Sequence, residues 1–461
     1  MSIIAGTCMM TVPGISIQKA LFALILLGYV CAGALYAIYT PAWQAPDEPA
    51  HFNYIRQVAQ DGCCPRIEPG DWQSDYLAQL TSTRFAPERL DQLDAIQYED
   101  HHPPLYYLLA SLVFKLSAGD LTALRLFSVV LGAVVVCLSY FIACRILPCQ
   151  PQIALGAMAL VAFLPQHLSM MASVNNDALA EALVALALLW LIRYLNSENI
   201  PIWQLGLIAG AALLTKITIS FLALVIPLAV WLKWRRDGDS TPAFLRSIAL
   251  IAAIAGILGG LWWQRNIAVY GFPDFFGLGA HDAVVADQPR TSEYVEQHGF
   301  ATYLTQMSST AFKSFWGQFG WMALPLDGVL GGWIYRGFAL LTLAGLTGAL
   351  HSLRPRRRPD PPAARSPISR PVFLVLLTTL LLVLAQFLYY NLEFQQWQGR
   401  YLYPALIPIA LTIVYGVEYW RARLLTRWGW LRWLAPLALT SLFALDIYLL
   451  FRVIAPGLSP G

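Results

Sequence analysis

Apolar runs of about 20 residues, the length a helix needs to cross the hydrocarbon layer, recur along most of the chain with short polar breaks between them. Eleven are read as spanning helices, near 19–39, 121–144, 151–172, 177–195, 201–216, 218–234, 243–263, 332–351, 371–390, 401–420 and 431–453. The pair 201–216 and 218–234 is short for two spans, so their boundary is the least defined. A twelfth apolar run, 103–117, is shorter still and carries Lys115. The first segment has Lys19 ahead of it and Ala32-Gly33-Ala34 inside it, as a cleaved leader would. Its apolar run continues through Tyr39, and the reading is a retained span. No internal repeat is visible.

Charge assigns sides to these helices, because short loops rich in Lys and Arg stay in the cytoplasm. Arg354, Arg356, Arg357, Arg358, Arg365 and Arg370 lie in one Pro-rich loop at 352–370, net +5 with Asp360. Eleven spans then put Arg145, Arg193, Arg235, Arg236, Arg421, Arg423, Arg427 and Arg432 inside as well. The segments 40–120 and 265–331 fall outside, the second with a net charge of −3. The 103–117 run is therefore read as a helix lying on the outer surface, since a twelfth crossing would invert the first outer loop and the N-terminus. Phe315-Trp316-Gly317-Gln318-Phe319-Gly320-Trp321 reads as an interfacial aromatic helix.

The expected class is an all-α polytopic membrane protein of about 11 spans, one transmembrane domain over 1–461, with interfacial helices in the first outer loop. Composition agrees: 57% of residues are hydrophobic and 12% charged, against about 25% charged in soluble proteins. Separate soluble domains are excluded. The 40–120 segment holds twelve acids and five bases, a poor surface for nucleic acid. The seven cysteines show no metal-type spacing; the vicinal Cys63-Cys64 pair is open to oxidation where exposed.

Two adjacent carboxylates, Asp47 and Glu48, follow the first span within Pro46-Asp47-Glu48-Pro49-Ala50-His51. Asp47 is placed either to cap a helix starting at Glu48 with Pro49 in its first turn or to act as a general base on an acceptor hydroxyl. Asp177 opens a hydrophobic span at the same expected side, and either it or Asn175 or Asn176 caps that helix. The alternative is a site carboxylate facing Asp47, with Glu181 one turn on sharing its face. Lys216, Arg265 and Arg400 are cations at outer helix ends, where the positive-inside bias does not explain them. They are candidate phosphate ligands or snorkelling side chains; Arg400, after Gly399, is the strongest. His51, His101 and His102 raise the question of a divalent ion, but vicinal histidines diverge on a regular element and no ligand spacing is present. The expectation is no cofactor, with a divalent metal as the lesser alternative.

The order of these motifs resembles the GT-C superfamily of polytopic glycosyltransferases. Within it, the chain looks like the protein O-mannosyltransferase and aminoarabinose transferase branch and related uncharacterised bacterial membrane proteins. Beyond the Asp-Glu pair, the matching stretches are His102-Pro103-Pro104-Leu105-Tyr106-Tyr107, Leu124-Arg125-Leu126, Ser173 to Leu179, Leu214-Thr215-Lys216, Arg265-Asn266 with Tyr270-Gly271, the Phe315 to Trp321 run, and Gln398 to Pro404 with Gly399-Arg400-Tyr401. The resemblance implies an inverting transferase in a bacterial cytoplasmic membrane, moving a sugar from a polyprenyl-phosphate carrier to a lipid, glycan or protein acceptor on the extracytoplasmic side. It assigns catalysis to Asp47, Glu48 and Asp177, with Asp47 as base. It also implies support from His51, His102, Tyr106, Glu181 and Tyr401. The alternative reading is a transporter or flippase for lipid-linked saccharides, whose cavity would need the same aromatics and cations; the inverted repeats common in transporters are not seen.

Overall fold

The computed structural model describes residues 12–354, 368–424 and 428–460. Arg356, Arg357, Arg358 and Arg365 of the basic loop, and Arg427, lie outside the described residues.

Each of the eleven apolar runs is helical. Nine helices among the described residues are long and apolar enough to cross a membrane. They include α1 (Val12–Tyr39), α5 (Leu121–Ile146), α8 (Asp177–Leu195), α11 (Thr241–Tyr270), α15 (Gly328–Ser352) and α16 (Arg370–Glu393). The last two are Gly399–Leu424, which contains α17 (Leu406–Leu424), and Pro436–Leu458, which begins in α18 (Leu434–Leu449). The protein is a multi-pass, all-α membrane protein.

Two runs depart from the simple reading. The third, 151–172, is α6 (Pro151–Ala162) and α7 (Pro165–Met171), bent by 62°. Pro165 explains the break: it has no N–H to give and disfavours helical backbone at the residue before it. The doubtful pair, 201–216 and 218–234, resolves into a short α9 (Ile202–Leu213) and a longer span, Ile217–Asp237, whose main part is α10 (Leu222–Asp237). α9 packs along α11 through Gly206 and Gly210, where an added Cβ would meet Ile254 and Leu258 at 2.9 and 2.5 Å. Small residues bring α15 and α17 closer still, because a Cβ on Gly416 would lie 1.7 Å from the Gly345 carbonyl oxygen.

The burial of α8 makes it the central helix: 78% of its most apolar window is buried, against 17% for α11 and α15. Between α1 and α5 the chain forms α2 (Glu48–Gln60), α3 (Ser74–Ser82) and α4 (Leu105–Leu116). At 12 residues, α4 is only about 18 Å long, too short to span. A second irregular segment carries α12 (Leu278–Val284), α13 (Thr291–His298) and α14 (Phe300–Trp316). The aromatic run expected as a helix is one only to Trp316. From there Gln318–Phe319 pairs with Leu324–Pro325 in a two-residue antiparallel ribbon, with Gly320 at φ 58° in the turn.

Candidate active site

Helix α2 begins at Glu48 with proline in its first turn, as the sequence indicates, but Asp47 does not cap it. Its backbone sits in the left-handed region at φ 67°, a conformation that costs a non-glycine residue roughly 1–2 kcal/mol. The carboxylate is aimed instead at two donors. Arg400 Nη2 donates to Oδ2 at 2.6 Å, and the Tyr98 hydroxyl donates to Oδ1 at 2.9 Å. Burial works against ionisation of Asp47, yet the Arg400 guanidinium outweighs it and holds the carboxyl below its usual range. Asp47 is ionised at neutral pH.

Arg400 stands on a 3-10 turn, Gly399–Ala405, pinned against α14. Gly399 N–H donates to Ser314 Oγ at 2.7 Å and the Tyr403 hydroxyl to the Phe315 carbonyl at 2.7 Å. A Cβ at position 399 would lie 2.2 Å from the Ala311 carbonyl oxygen, so only glycine permits this approach. Arg400 is 6% exposed and lies over the Tyr401 ring, 5.4 Å from its centroid. Its Nε and Nη1 find no acceptor among the described residues, which leaves two buried, charged donors unsatisfied there.

Asp177 likewise leaves capping to a neighbour: Asn175 Oδ1 accepts the Asp177 N–H at 2.8 Å. The Asp177 carboxylate takes Lys216 Nζ at 2.6 Å, and Arg400 is near enough to act on it electrostatically. Two acid–cation pairs, Asp47–Arg400 and Asp177–Lys216, thus share one site. Glu181 turns away from them to His167 Nε2 at 3.1 Å.

Glu48 is fully buried, at 0% exposure, and every lone pair is used. Arg125 donates from Nε to Oε1 at 2.8 Å and from Nη2 to Oε2 at 2.6 Å. The backbone N–H groups of Trp43 and Val174 complete the shell at 3.0 and 3.1 Å. Arg125 spends its remaining donors on the carbonyls of Ala37, Thr40 and Pro41. The pair clasps the end of α1, the start of α5 and the approach to α8, and offers nothing to a substrate.

Other candidates divide. His51 Nδ1 meets the Tyr107 hydroxyl at 2.8 Å, and Asn176 donates to that hydroxyl at 3.3 Å. It is Tyr107 that joins the site; Tyr106 hydrogen-bonds Ser128 on α5 at 3.1 Å. Arg265 is taken up by the Cys64 and Pro65 carbonyls and lies over Trp262 and Tyr270, which ties α11 to the first irregular segment. Arg125, Tyr98 and Tyr107 had no role assigned from sequence. A cation opening an apolar span needs a partner, and that would have flagged Arg125; nothing in the pattern singles out Tyr98.

A family described as a predicted membrane protein, DUF2142, matches residues 67–410. The chain belongs to the DUF2142 family. No curated protein matches it by sequence. Among solved structures it is similar to ArnT from Cupriavidus metallidurans bound to undecaprenyl phosphate, at 15% identity over 97% of this chain and 74% of that one, TM-score 0.50. The same enzyme in its apo state gives 14% identity over the same shares, TM-score 0.52. At such identity the likeness speaks for the fold, and this DUF2142 chain has the GT-C type fold that its motif order suggested.

Its histidines come together as spacing alone does not foretell. His102 Nε2 lies 2.6 Å from Glu99 Oε2, the His101 and His102 rings are 4.3 Å apart, and His51 stacks on His102 at 6.2 Å. His101 and His102 sit in a turn, not a regular helix, which is why adjacent rings can face one space, with His51 reaching them from α2.

Proposed function

We propose that this protein is an inverting GT-C glycosyltransferase that moves a sugar from a polyprenyl-phosphate carrier to an acceptor hydroxyl on the extracytoplasmic side of the bacterial cytoplasmic membrane. One observation carries the reading: an ionised aspartate, held off its helix cap, is paired with a buried arginine that has two donors to spare. In the proposed step the acceptor O–H proton passes to Asp47 as the acceptor oxygen attacks the anomeric carbon. The bond from that carbon to the phosphate oxygen breaks on the opposite face, and its electron pair stays on the phosphate. Because phosphate is already a good leaving group, no second carboxylic acid is required, unlike a glycosidase pair.

Arg400 and Lys216 are the residues proposed to receive the growing phosphate charge. An apolar cavity of about 160 Å³ supports a lipid-linked donor: its wall includes Ile219 and Ser220, three and four residues past Lys216, together with Leu213, Ile226 and Ile251. The undecaprenyl phosphate named with the structurally similar ArnT is a carrier of that class.

The test uses purified protein in lipid with radiolabelled polyprenyl-phosphate sugars. Transfer to acceptor or release of sugar is expected from the wild type, and Arg400→Ala should raise KM for the lipid and slow turnover together. Movement of labelled lipid between leaflets with no bond cleavage would favour a flippase instead.

A further inference from the structure

Next to the Asp47 site, the turn at 98–102 presents a set of ligand atoms that the transfer reaction does not use. One ligand atom each from Glu99, His101 and His102 lies within 4.8 Å of the others, and all three residues are buried. His101 is 5% exposed, and its Nδ1 sits 3.2 Å from the Tyr98 carbonyl oxygen. A carbonyl only accepts, so Nδ1 carries the proton and Nε2 keeps its lone pair. Metal-binding histidines are oriented in this way, by an outer hydrogen bond from the far ring nitrogen. His102 brings Nε2 to Glu99 and leaves Nδ1 buried with no partner among the described residues.

A third imidazole arrives from a distant part of the chain. His281 on α12 places its ring centroid 4.4 Å from that of His101. Its Nδ1 donates to Asp282 Oδ1 at 3.1 Å, which again fixes the tautomer with Nε2 free. Imidazoles this close, with lone pairs rather than protons on the free nitrogens, have no hydrogen bond to offer each other.

We propose that Glu99, His101 and His102, joined by His281, form a binding site for one divalent transition-metal ion of the zinc class. Imidazole nitrogen with a single carboxylate is the ligand set of zinc and its neighbours, whereas magnesium and calcium take mainly oxygen ligands. The ion would pin the 98–102 turn to α12. Since Tyr98 in that turn donates to Asp47, the site acts on the candidate base as a positioning element. Metal binding itself stands independently of the transferase reading.

The full chain in detergent, stripped with chelator and dialysed against micromolar Zn²⁺, is measured for bound metal by mass spectrometry. Co²⁺ loading reports the geometry by its visible absorption. The wild type is expected to retain about one equivalent, with a four-coordinate cobalt band, and Glu99→Gln with His101→Asn to retain less than about a tenth. His281→Asn, on the short α12, should weaken binding at least about tenfold. Gel filtration and melting verify that each variant is folded; if the double variant is not, the wild-type stoichiometry and His281→Asn still decide. A wild type that holds no metal after Zn²⁺ loading, or variants that keep a full equivalent, would overturn the site and leave Glu99–His102 as a plain acid–imidazole contact.

Discussion

Replacing Glu48 by glutamine keeps the shape of the side chain and removes its charge, which separates a structural clasp from a catalytic acid. In the protein each Glu48 oxygen accepts two N–H groups: Oε1 from Arg125 Nε and Val174, Oε2 from Arg125 Nη2 and Trp43. Glutamine puts an NH₂ group at one of these positions, so whichever way it turns, two donors lose their acceptor. At about 1–3 kcal/mol for each buried unsatisfied group the loss is roughly 2–6 kcal/mol, in line with the roughly 3–5 kcal/mol for breaking a buried ion pair. Arg125→Ala should cost at least as much, since Glu48 would then be an unpaired buried charge. The double change Glu48→Leu with Arg125→Met should destabilise by less than the sum of the single changes, because no charge is left behind. Reversible unfolding in mixed micelles, followed by tryptophan fluorescence, measures all three. Should Glu48→Gln remain within about 1 kcal/mol of wild type while transfer collapses, the clasp reasoning is wrong and Glu48 takes part in the chemistry.

Three further outcomes follow from the same physical picture. Gly416→Leu should abolish a monodisperse peak in size-exclusion chromatography, because its Cβ meets the Gly345 carbonyl at 1.7 Å, while Gly256→Leu, with open space around it, should not. The Asp47 carboxyl is held below its ordinary value, so the base form persists as pH falls, and kcat/KM should stay level from pH 7 to below about 4; an acid limb near 6 would assign the base to another group. Cysteine labelling from outside should reach a residue placed beside Asp75 and miss one beside Arg357; equal reactivity would refute the eleven-span sidedness.

The helices were legible because a membrane imposes one strong rule: backbone polar groups must be satisfied within the segment, so an apolar run is a helix. Where the rule is local the reading succeeded, as at Pro49, which marks the start of α2. It failed where tertiary packing decides. The break at Pro165 reads as one run to a hydropathy count, and the aromatic stretch after Trp316 leaves the helix because Gly317 and Gly320 give it another route. Asp47 and Arg400 stand 353 residues apart. Charge at a helix end made each a candidate, but no sequence spacing joins them, just as none joins His281 to His101. Glu48 shows the opposite limit: motif adjacency grouped it with Asp47, while the fold turned it inward to Arg125.

Asp47→Asn in the reconstituted transfer assay tests the central claim most directly. Asparagine can keep its carbonyl oxygen on Arg400 and turn its NH₂ to the Tyr98 hydroxyl, which can accept as well as donate, but it cannot take the acceptor proton, so the fold and the phosphate contacts should survive. Turnover should fall by roughly 10²–10⁴-fold, the usual range for loss of a general base, with affinity for the polyprenyl-phosphate donor nearly unchanged. Near wild-type turnover in a folded Asp47→Asn protein would contradict the account and leave Asp47 as no more than an anchor for Arg400.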